Sequence, residues 1–500
     1  MVGVPRSTGC QRCRARKVKC DEVRPVCGNC VKYGAECPGY DRNIKFVAGK
    51  HQIRQRGKRS DNAVERSNSS SVTPSATEPG SIVTTGPLVN ALPILTKSLQ
   101  LPRAHVLYNM IESTYLTSAS TDIYNFLSWV GIDRLGKRAV LDGAVSSFVL
   151  HIAGKHRADT HLVTQSHAIY GAALNELQVA LQHPSEWRAP ETLCAAILLC
   201  FFELFAGTSA PDTWLQHAKG IGILMEQRGA TAHAEGWDAA MLLSFRGILI
   251  MSDMFYPGKD QFFLSRPAWK QVMYDRGRHL IHPAEIPNET IRVADGFFAN
   301  LIEVLPVSKW GYLVREANRA GVAVEPARVS ALAHLAAVNH ASFAQWYDEF
   351  TALAIPQPVE VSPANPESSL FETVLKHEYA MAGSMHMGYW ASMLILQETL
   401  AQCGRPVEDS ERSQRDLVER ILRSVESVGQ GTMGPYRIGY AVRIAYEFAT
   451  AKEQRWIGGL LDQFSRSYAA IDKSMYPRPR TDEGSHSTRD TIESEGSGAS

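Results

Sequence analysis

Residues 10–37 read CQRCRARKVKCDEVRPVCGNCVKYGAEC, and six of the nine cysteines of the chain lie in this stretch. Their spacing is Cys10-x2-Cys13-x6-Cys20-x6-Cys27-x2-Cys30-x6-Cys37, which is two copies of C-x2-C-x6-C joined by a six-residue loop. So short a segment with few apolar side chains cannot bury enough surface to fold alone, and it needs a metal or cross-links. Structural zinc on thiolates supplies about 10–16 kcal/mol of apparent binding free energy, which is enough to replace a core.

The cellular compartment decides between metal and cross-links. The first residues lack the apolar core of a secretory signal, and the longest apolar run, Leu193 to Phe202, is far shorter than the ~18–20 residues that cross a bilayer. We therefore expect an intracellular, reducing location without a membrane partner, where clustered cysteines favour metal over disulfides. Disulfide pairing, and a zinc module that binds another protein, remain open as alternatives.

Six thiolates suffice for two zinc ions under one condition. Two separate tetrahedral sites need eight sulfurs, but six complete both sites if two sulfurs bridge the metals. Two Zn²⁺ ions with six thiolates carry a net charge of −2, which the nearby arginines and lysines offset. We therefore predict a cofactor of two Zn²⁺ ions, held by the six cysteines between Cys10 and Cys37.

Charge is divided unevenly along the 500 residues. The first 60 residues contain 15 Lys and Arg against four acidic residues, a net charge of +11, whereas the remaining residues have a net charge of −10. Such asymmetry is typical of contact with nucleic acid or a membrane surface.

The cysteine-rich stretch resembles the fungal binuclear zinc-cluster (Zn2Cys6) DNA-binding domain of transcription factors. All five spacings between the six cysteines, the basic run after the second cysteine and the loop proline coincide with that family. The resemblance implies that Cys10 and Cys27 bridge the two zincs, and it gives Pro25 a structural role in the middle loop. It also implies that Lys17 contacts the guanine edges of CGG triplets in the major groove, where O6 and N7 accept hydrogen bonds.

The other basic residues are better placed for phosphates, which supply affinity without sequence information. These are Arg12, Arg14, Arg16, Lys19 and Lys32. The resemblance implies a zinc-dependent, sequence-specific regulator of RNA polymerase II genes in the nucleus, and not an enzyme. Its expected partners are double-stranded DNA and the transcription machinery or co-regulators.

Composition predicts four segments in the chain. Residues 1–45 form the DNA-binding domain, residues 46–99 a basic and then Ser/Thr/Pro-rich disordered linker, residues 100–475 an all-α regulatory domain, and residues 476–500 a disordered tail. The run Arg54–Arg59 could serve as an import signal, a phosphate-binding arm or only a solvated linker. Because residues 41–100 lack a heptad repeat, the chain is expected to be a monomer or a homodimer formed through its helical domain.

The body has the 3.6-residue periodicity of helices. One face of a predicted helix carries Leu417, Ile421, Leu422, Val425 and Val428, and one face of an earlier predicted helix carries Leu141, Ala144, Val145, Phe148 and Ile152. Another helix is predicted from Pro211 to Arg228, ended by Gly229. Residues 217–229 are similar to an H-x2-G-x3-L-x3-R-G pattern of the fungus-specific regulatory domain found downstream of such clusters. We expect His217 to be a packed core histidine.

No nucleotide-binding, metalloprotease or hydrolase motif occurs in the body. The His- and Met-rich stretch His377 to Trp390 is interpreted as core or pocket lining, and Cys194 and Cys200 as buried apolar residues. Two alternatives remain for the body, a helical enzyme and a sensor of a small-molecule effector, each carrying the zinc cluster as a targeting or protein-interaction module.

Overall fold

The computed structural model divides into two compact units, Met1–Gly49 and Lys50–Ser500. It describes residues 10, 12–13, 16–21, 27–33, 35 and 37 of the first unit, the head, and residues 126–127, 129–206, 213–255, 261–274, 288–431, 433–465 and 468–471 of the second, the body. Several predictions therefore lie outside the described residues: those for Arg14, Pro25, Arg54–Arg59 and Pro211, the linker 46–99 and the tail 476–500.

The head has a core made of sulfur. Cys10, Cys13, Cys20, Cys27 and Cys30 are buried, and Cys37 packs against them with partial exposure. A five-residue helix, α1 (Gly28–Lys32), follows Cys27. No large apolar side chain joins this cluster among the described residues, so the packing of the head rests on its cysteines.

The described body is mostly helical, which confirms the predicted fold class. Its twelve α-helices are α2 Ala139–His156, α3 Thr160–Gln182, α4 Pro190–Ala206, α5 Thr213–Arg228, α6 Gly236–Phe255, α7 Pro267–Tyr274, α8 Asn288–Arg319, α9 Pro326–Thr351, α10 Ala380–Gln402, α11 Ser410–Val428, α12 Gly434–Phe448 and α13 Ala451–Phe464. The described body also contains an antiparallel hairpin that the sequence pattern did not predict. In this hairpin β1 (Val359–Val361) pairs with β2 (Val374–Lys376). Within the described ranges, no helix is both long and apolar enough to cross a bilayer.

Helix α11 follows the predicted pattern closely. Its five predicted apolar residues are all buried, and the helix packs against α10 and α12. Helix α13 begins with a capping box, in which the Thr450 side chain accepts from the Glu453 amide and the Glu453 carboxylate accepts from the Thr450 amide. Local sequence signals therefore account for where these helices begin and which face they bury.

Helix α2 differs from the prediction. A single buried face was expected, but every residue from Val140 to His151 is buried. The buried residues include the polar Asp142 and Ser146. The Asp142 carboxylate accepts from the Gly136 amide at 2.9 Å, and the Ser146 hydroxyl donates to the Asp142 carbonyl at 2.6 Å. Local hydrogen bonds thus permit polar residues in a central helix that packs against α3 and α4.

Candidate metal centre and nucleic-acid interface

The six thiols of the head form two groups of four that share two members. One group is Cys10, Cys13, Cys20 and Cys27, and the other is Cys10, Cys27, Cys30 and Cys37; within each, the sulfur atoms all lie within 4.8 Å of one another. Two ligands of a tetrahedral zinc with bonds of ~2.3 Å lie about 3.8 Å apart. The Sγ atoms of Cys10 and Cys27 are 3.7 Å apart, and those of Cys13 and Cys27 are 3.6 Å apart. The thiol spacing therefore fits two tetrahedral sites with a common edge.

The thiols also have the chemistry of unoxidised metal ligands. All nine cysteines lie in the described part of the chain, and none forms a disulfide. The Sγ atoms of Cys10 and Cys27, 3.7 Å apart, are far beyond the ~2.05 Å of a disulfide bond. Burial raises the pKa of the Cys13 thiol to about 12 and also raises the pKa values of the Cys27 and Cys30 thiols. Without metal these thiols are protonated, so metal binding must release protons and weaken in acid.

The two halves of the head repeat the same backbone hydrogen bonds. The amide of the second cysteine in each half donates to the thiol of the first, from Cys13 to Cys10 at 3.4 Å and from Cys30 to Cys27 at 3.3 Å. Five residues past each second cysteine, another amide donates back to its carbonyl, from Val18 to Cys13 at 3.0 Å and from Ala35 to Cys30 at 3.1 Å. Positions in the two sequence repeats are therefore structurally equivalent over these residues.

Lys17 has a backbone conformation that favours glycine. Its φ is +56°, in the left-handed region, and its side chain is exposed. In the second half the residue with the same spacing from its cysteines is Gly34. A left-handed residue with a Cβ costs roughly 1 kcal/mol, so the first half has a lysine where glycine would be more stable.

The structure places most of the predicted DNA-contacting residues at the surface of the head. Arg16, Lys17, Lys19 and Lys32 are exposed, and Arg12 is half-buried. The basic run therefore presents a positive surface beside the thiol cluster.

Sequence reasoning missed two residues of the second half that contact this basic run. The guanidinium carbon of Arg16 lies 3.5 Å from the centre of the Tyr33 ring, and the Asn29 side chain donates to the Lys19 carbonyl at 2.5 Å. The repeat contained a signal for the first contact, because Arg16 and Tyr33 each lie three residues after the second cysteine of their half.

Two of the buried histidines of the body, His377 and His386, each lie within hydrogen-bond distance of a hydroxyl group. His377 Nε2 lies 2.9 Å from the Ser424 hydroxyl, and His386 Nδ1 lies 2.9 Å from the Tyr347 hydroxyl. Burial lowers the pKa of each imidazole to about 4. The charges of His377 and Arg420 also lower the pKa of His386. These two histidines are core residues, as predicted for the His- and Met-rich stretch.

The regulatory-domain motif in α5 is also packed in the core. His217 is buried, and burial lowers its pKa. Arg228 Nη2 contacts Asp238 Oδ1 at 2.7 Å, and the Arg228 side chain is only 4% exposed. The motif thus joins the end of α5 to the start of α6, and Cys194 and Cys200 in α4 are fully buried as predicted.

Comparison with known families matches both units. Residues 8–45 match the fungal Zn(2)-Cys(6) binuclear cluster domain, and residues 92–256 match the fungal specific transcription factor domain. The two units thus define a class of protein in which a two-zinc cluster precedes a helical regulatory domain. The prediction of two Zn²⁺ ions is confirmed by the cluster family together with the two thiol groups.

Two of the similar proteins are named as transcription regulators. The chain is 69% identical over 35 residues to a Zn(2)-C6 fungal-type transcription factor of Aspergillus fumigatus and 58% identical over 33 residues to a transcriptional regulatory protein of Schizosaccharomyces pombe, each match covering 7% of this chain. An uncharacterized protein of Emericella nidulans is 33% identical over 149 residues, 29% of this chain. The matches span only 9%, 6% and 31% of these relatives, respectively. No solved structure matches significantly.

The chain is therefore similar to fungal zinc-cluster transcription factors in two regions, residues 8–45 and residues 92–256. Both matched families are families of transcription factors and not of enzymes, which confirms the prediction that the chain is not an enzyme.

Proposed function

We propose that this protein is a zinc-dependent, sequence-specific DNA-binding regulator of RNA polymerase II genes, and that it acts in the nucleus. The observation that most directly supports this proposal is the pair of four-thiol groups that share Cys10 and Cys27. Beside them lies the exposed Lys17, in a left-handed conformation. Double-stranded DNA is the partner of the head. The transcription machinery or co-regulators are the partners of the body.

All six cysteines are the metal ligands in this proposal. Cys10 and Cys27 belong to both thiol groups, so each would hold both ions, while Cys13, Cys20, Cys30 and Cys37 would each hold one ion. Bound zinc supplies the cross-links that the head's small core cannot provide. The protein contributes two amide donors, to the thiols of Cys10 and Cys27, which favour the thiolate form that binds zinc. Burial of the thiols acts against that form, so the charge of the metal must offset it.

Lys17 contacts the guanine edges of a CGG triplet. Its exposed ammonium group can reach acceptors in the major groove, and the left-handed backbone turns the chain at this residue. Strained residues persist where the surrounding structure and a function select them, which supports a role for a lysine at a glycine-like position. The other predicted basic residues contact phosphates in this proposal, and Pro25 shapes the loop. These phosphate-contacting residues are Arg12, Arg14, Arg16, Lys19 and Lys32.

Competition between two labelled duplexes, one with a CGG triplet and one with the triplet scrambled, tests the role of Lys17 in the zinc-loaded chain. Lys17→Ala should lower the preference for CGG by roughly ten- to a hundredfold, the range of a lost base contact. Lys32→Ala, the matched control, should weaken both duplexes alike. An unchanged preference in Lys17→Ala would remove Lys17 from base recognition.

A second variant separates folding from recognition at the same position. Lys17→Gly should lose the CGG preference as Lys17→Ala does, yet stabilise the metal-loaded head by about 1 kcal/mol, because glycine adopts the left-handed region freely. Protection of the head's amides from hydrogen exchange measures that stability. A Lys17→Gly head that is less stable than wild type would contradict the strain assigned to this residue.

A cavity in the body supports a second role, sensing of a small-molecule effector. The cavity has a volume of about 560 Å³ and is lined by parts of α8, α10 and α12. In its wall, Arg315 and Arg443 both contact the Glu447 carboxylate at 2.9 Å. The lining residues include three cations, Lys309, Arg315 and Arg443, against two carboxylates, Glu398 and Glu447. Their net positive charge lies beside apolar residues such as Leu313 and Ile395, so the proposed effector is an amphipathic anion.

Thermal unfolding with a series of fatty carboxylates and the matching neutral alcohols tests this role. The carboxylates should raise the unfolding temperature of the wild-type chain, the alcohols should not, and Arg443→Gln should remove the difference. Equal shifts for acids and alcohols, or no shift for either, would contradict an anion site in the cavity.

A further inference from the structure

Arg16 and Tyr33 connect the two halves of the head without using sulfur. The guanidinium carbon of Arg16 is 3.5 Å from the Tyr33 ring centre, which is van der Waals contact over the ring face. At that distance no guanidinium nitrogen fits between the carbon and the ring, so the guanidinium plane lies across the face. Both side chains are exposed, and Tyr33 retains 60% of its surface.

The pairing follows from the internal repeat. The amide of Arg16 donates to the Arg12 carbonyl at 3.0 Å, and the amide of Tyr33 donates to the equivalent carbonyl of Asn29 at 3.2 Å. Arg16 and Tyr33 therefore occupy the same position of the two turns, and equivalent positions meet where the halves face each other. A cation in one half and an aromatic ring in the other make this meeting attractive.

Stacking fixes what Arg16 can bind. All the N–H groups of arginine lie in the guanidinium plane and match the oxygens of a phosphate in pairs. A guanidinium held flat on a ring directs those donors sideways and has already lost rotamer freedom that an unstacked arginine would lose on binding. Arg16 also precedes Lys17, the residue proposed to contact guanine, so a phosphate bound here would fix that lysine's register on the duplex.

We infer that Tyr33 is a positioning residue that holds the Arg16 guanidinium ready for a DNA phosphate. This inference rests on the proposed DNA-binding function and adds to it a residue outside the basic run. Tyr33 itself contacts Arg16 and needs no contact with DNA. The second half of the head thereby contributes to DNA affinity through the first half.

Titration of the zinc-loaded 500-residue chain with a CGG duplex and a scrambled duplex, at several salt concentrations, tests the inference. Arg16→Ala should lower the slope of log affinity against log salt by about one on both duplexes, as expected for one lost phosphate contact. Tyr33→Ala should weaken both duplexes about two- to five-fold. Tyr33→Phe keeps the ring and should bind like wild type.

The double variant separates positioning from a merely structural role. If Tyr33 acts through Arg16, Tyr33→Ala should have no further effect in the Arg16→Ala background. An equal effect in both backgrounds, or weak binding by Tyr33→Phe, would overturn the inference. A loss of preference for CGG in Arg16→Ala would also overturn it, because Arg16 would then contact a base and not a phosphate.

Zinc content, measured for every variant, guards against a misfolded head. If Tyr33→Ala loses zinc, Tyr33→Leu replaces it, since leucine keeps apolar bulk without an aromatic face, and Tyr33→Leu binding like Tyr33→Phe would then overturn the inference. Failure of the wild-type chain to bind either duplex contradicts the proposed function itself. Wild-type binding with CGG preference, together with a silent Arg16→Ala, contradicts only the positioning role.

Discussion

Both units of the molecule bury titratable side chains, but they do so in different ways. In the head, buried thiols lie in two groups whose sulfur atoms are all within 4.8 Å of one another. In the body, His377 and His386 each meet a single hydroxyl at 2.9 Å, within an extensive apolar core. Converging ligand atoms indicate a metal site, whereas a buried imidazole with its own hydrogen-bond partner is part of the packing.

From this comparison we expect the fold of the head to depend on metal and the fold of the body to be independent of it. A strong chelator should abolish DNA binding and the protection of the head's amides from hydrogen exchange, because the sulfur core loses its cross-links. The thermal unfolding of the body, followed by its helical circular dichroism, should be unchanged. A body that unfolds at a clearly lower temperature after chelation would break the comparison.

Replacing a single cysteine should lower the zinc content by an amount that depends on whether the cysteine belongs to one or to both of the four-cysteine groups. Cys10→Ser removes a member of both groups and should reduce zinc from about two ions per chain to none, whereas Cys20→Ser leaves the group of Cys10, Cys27, Cys30 and Cys37 intact and should retain about one. Elemental analysis of the purified chain measures both. The matched control in the body, His386→Gln, should retain about two ions.

Equal zinc loss in Cys10→Ser and Cys20→Ser would mean that the two sites cannot fill separately. In that case the distinction between bridging and terminal thiols would have to come from spectroscopy of the cobalt-substituted head.

The contrast between the converging thiols of the head and the packed core of the body also explains how much of each unit the sequence predicts. Cysteine spacing determines which sulfurs can meet, so the ligands and two ions could be predicted from residues 10–37 alone. Helix α2 was misjudged because periodicity assigns polar residues such as Asp142 to solvent, whereas local hydrogen bonds satisfy them inside the core. The three-residue strands of the β1–β2 hairpin are too short for a period to be visible, and the Arg16–Tyr33 contact depends on how the halves face each other.

The body's histidines predict a loss of stability in acid. Burial lowers the pKa values of His151, His233, His377 and His386 to about 4, below the 6.5 of an unfolded histidine. Between these values the unfolded chain binds more protons, so stability is complete above pH 6.5 and falls as the pH drops toward 4. Asp142, with a pKa raised to about 6, and Asp238, whose pKa burial also raises, act in the opposite direction. Burial also lowers the pKa values of His217 and His340, so two carboxyl groups act against six imidazoles.

Urea unfolding of the body at pH 7.5 and pH 5 measures this dependence. Each buried histidine should contribute roughly 1–2 kcal/mol to the difference. His377→Asn should show a shallower pH dependence than wild type, whatever its stability at pH 7.5. Stability that is unchanged or higher at pH 5 would contradict the assignment of these histidines as neutral core residues.

The smallest expected effect concerns one hydroxyl partner in the body. Tyr347→Phe removes the group that meets His386 Nδ1 but keeps the ring stacked on Tyr389, with ring centres 3.9 Å apart. The free energy of unfolding of the body should fall by about 1 kcal/mol, the usual contribution of one hydrogen bond, with the buried imidazole left unsatisfied. Zinc content and DNA binding should stay at wild-type values, since no thiol is affected. A change in zinc content would contradict the distinction between grouped thiols and hydroxyl-bound imidazoles, because it would couple a packing histidine to the metal centre.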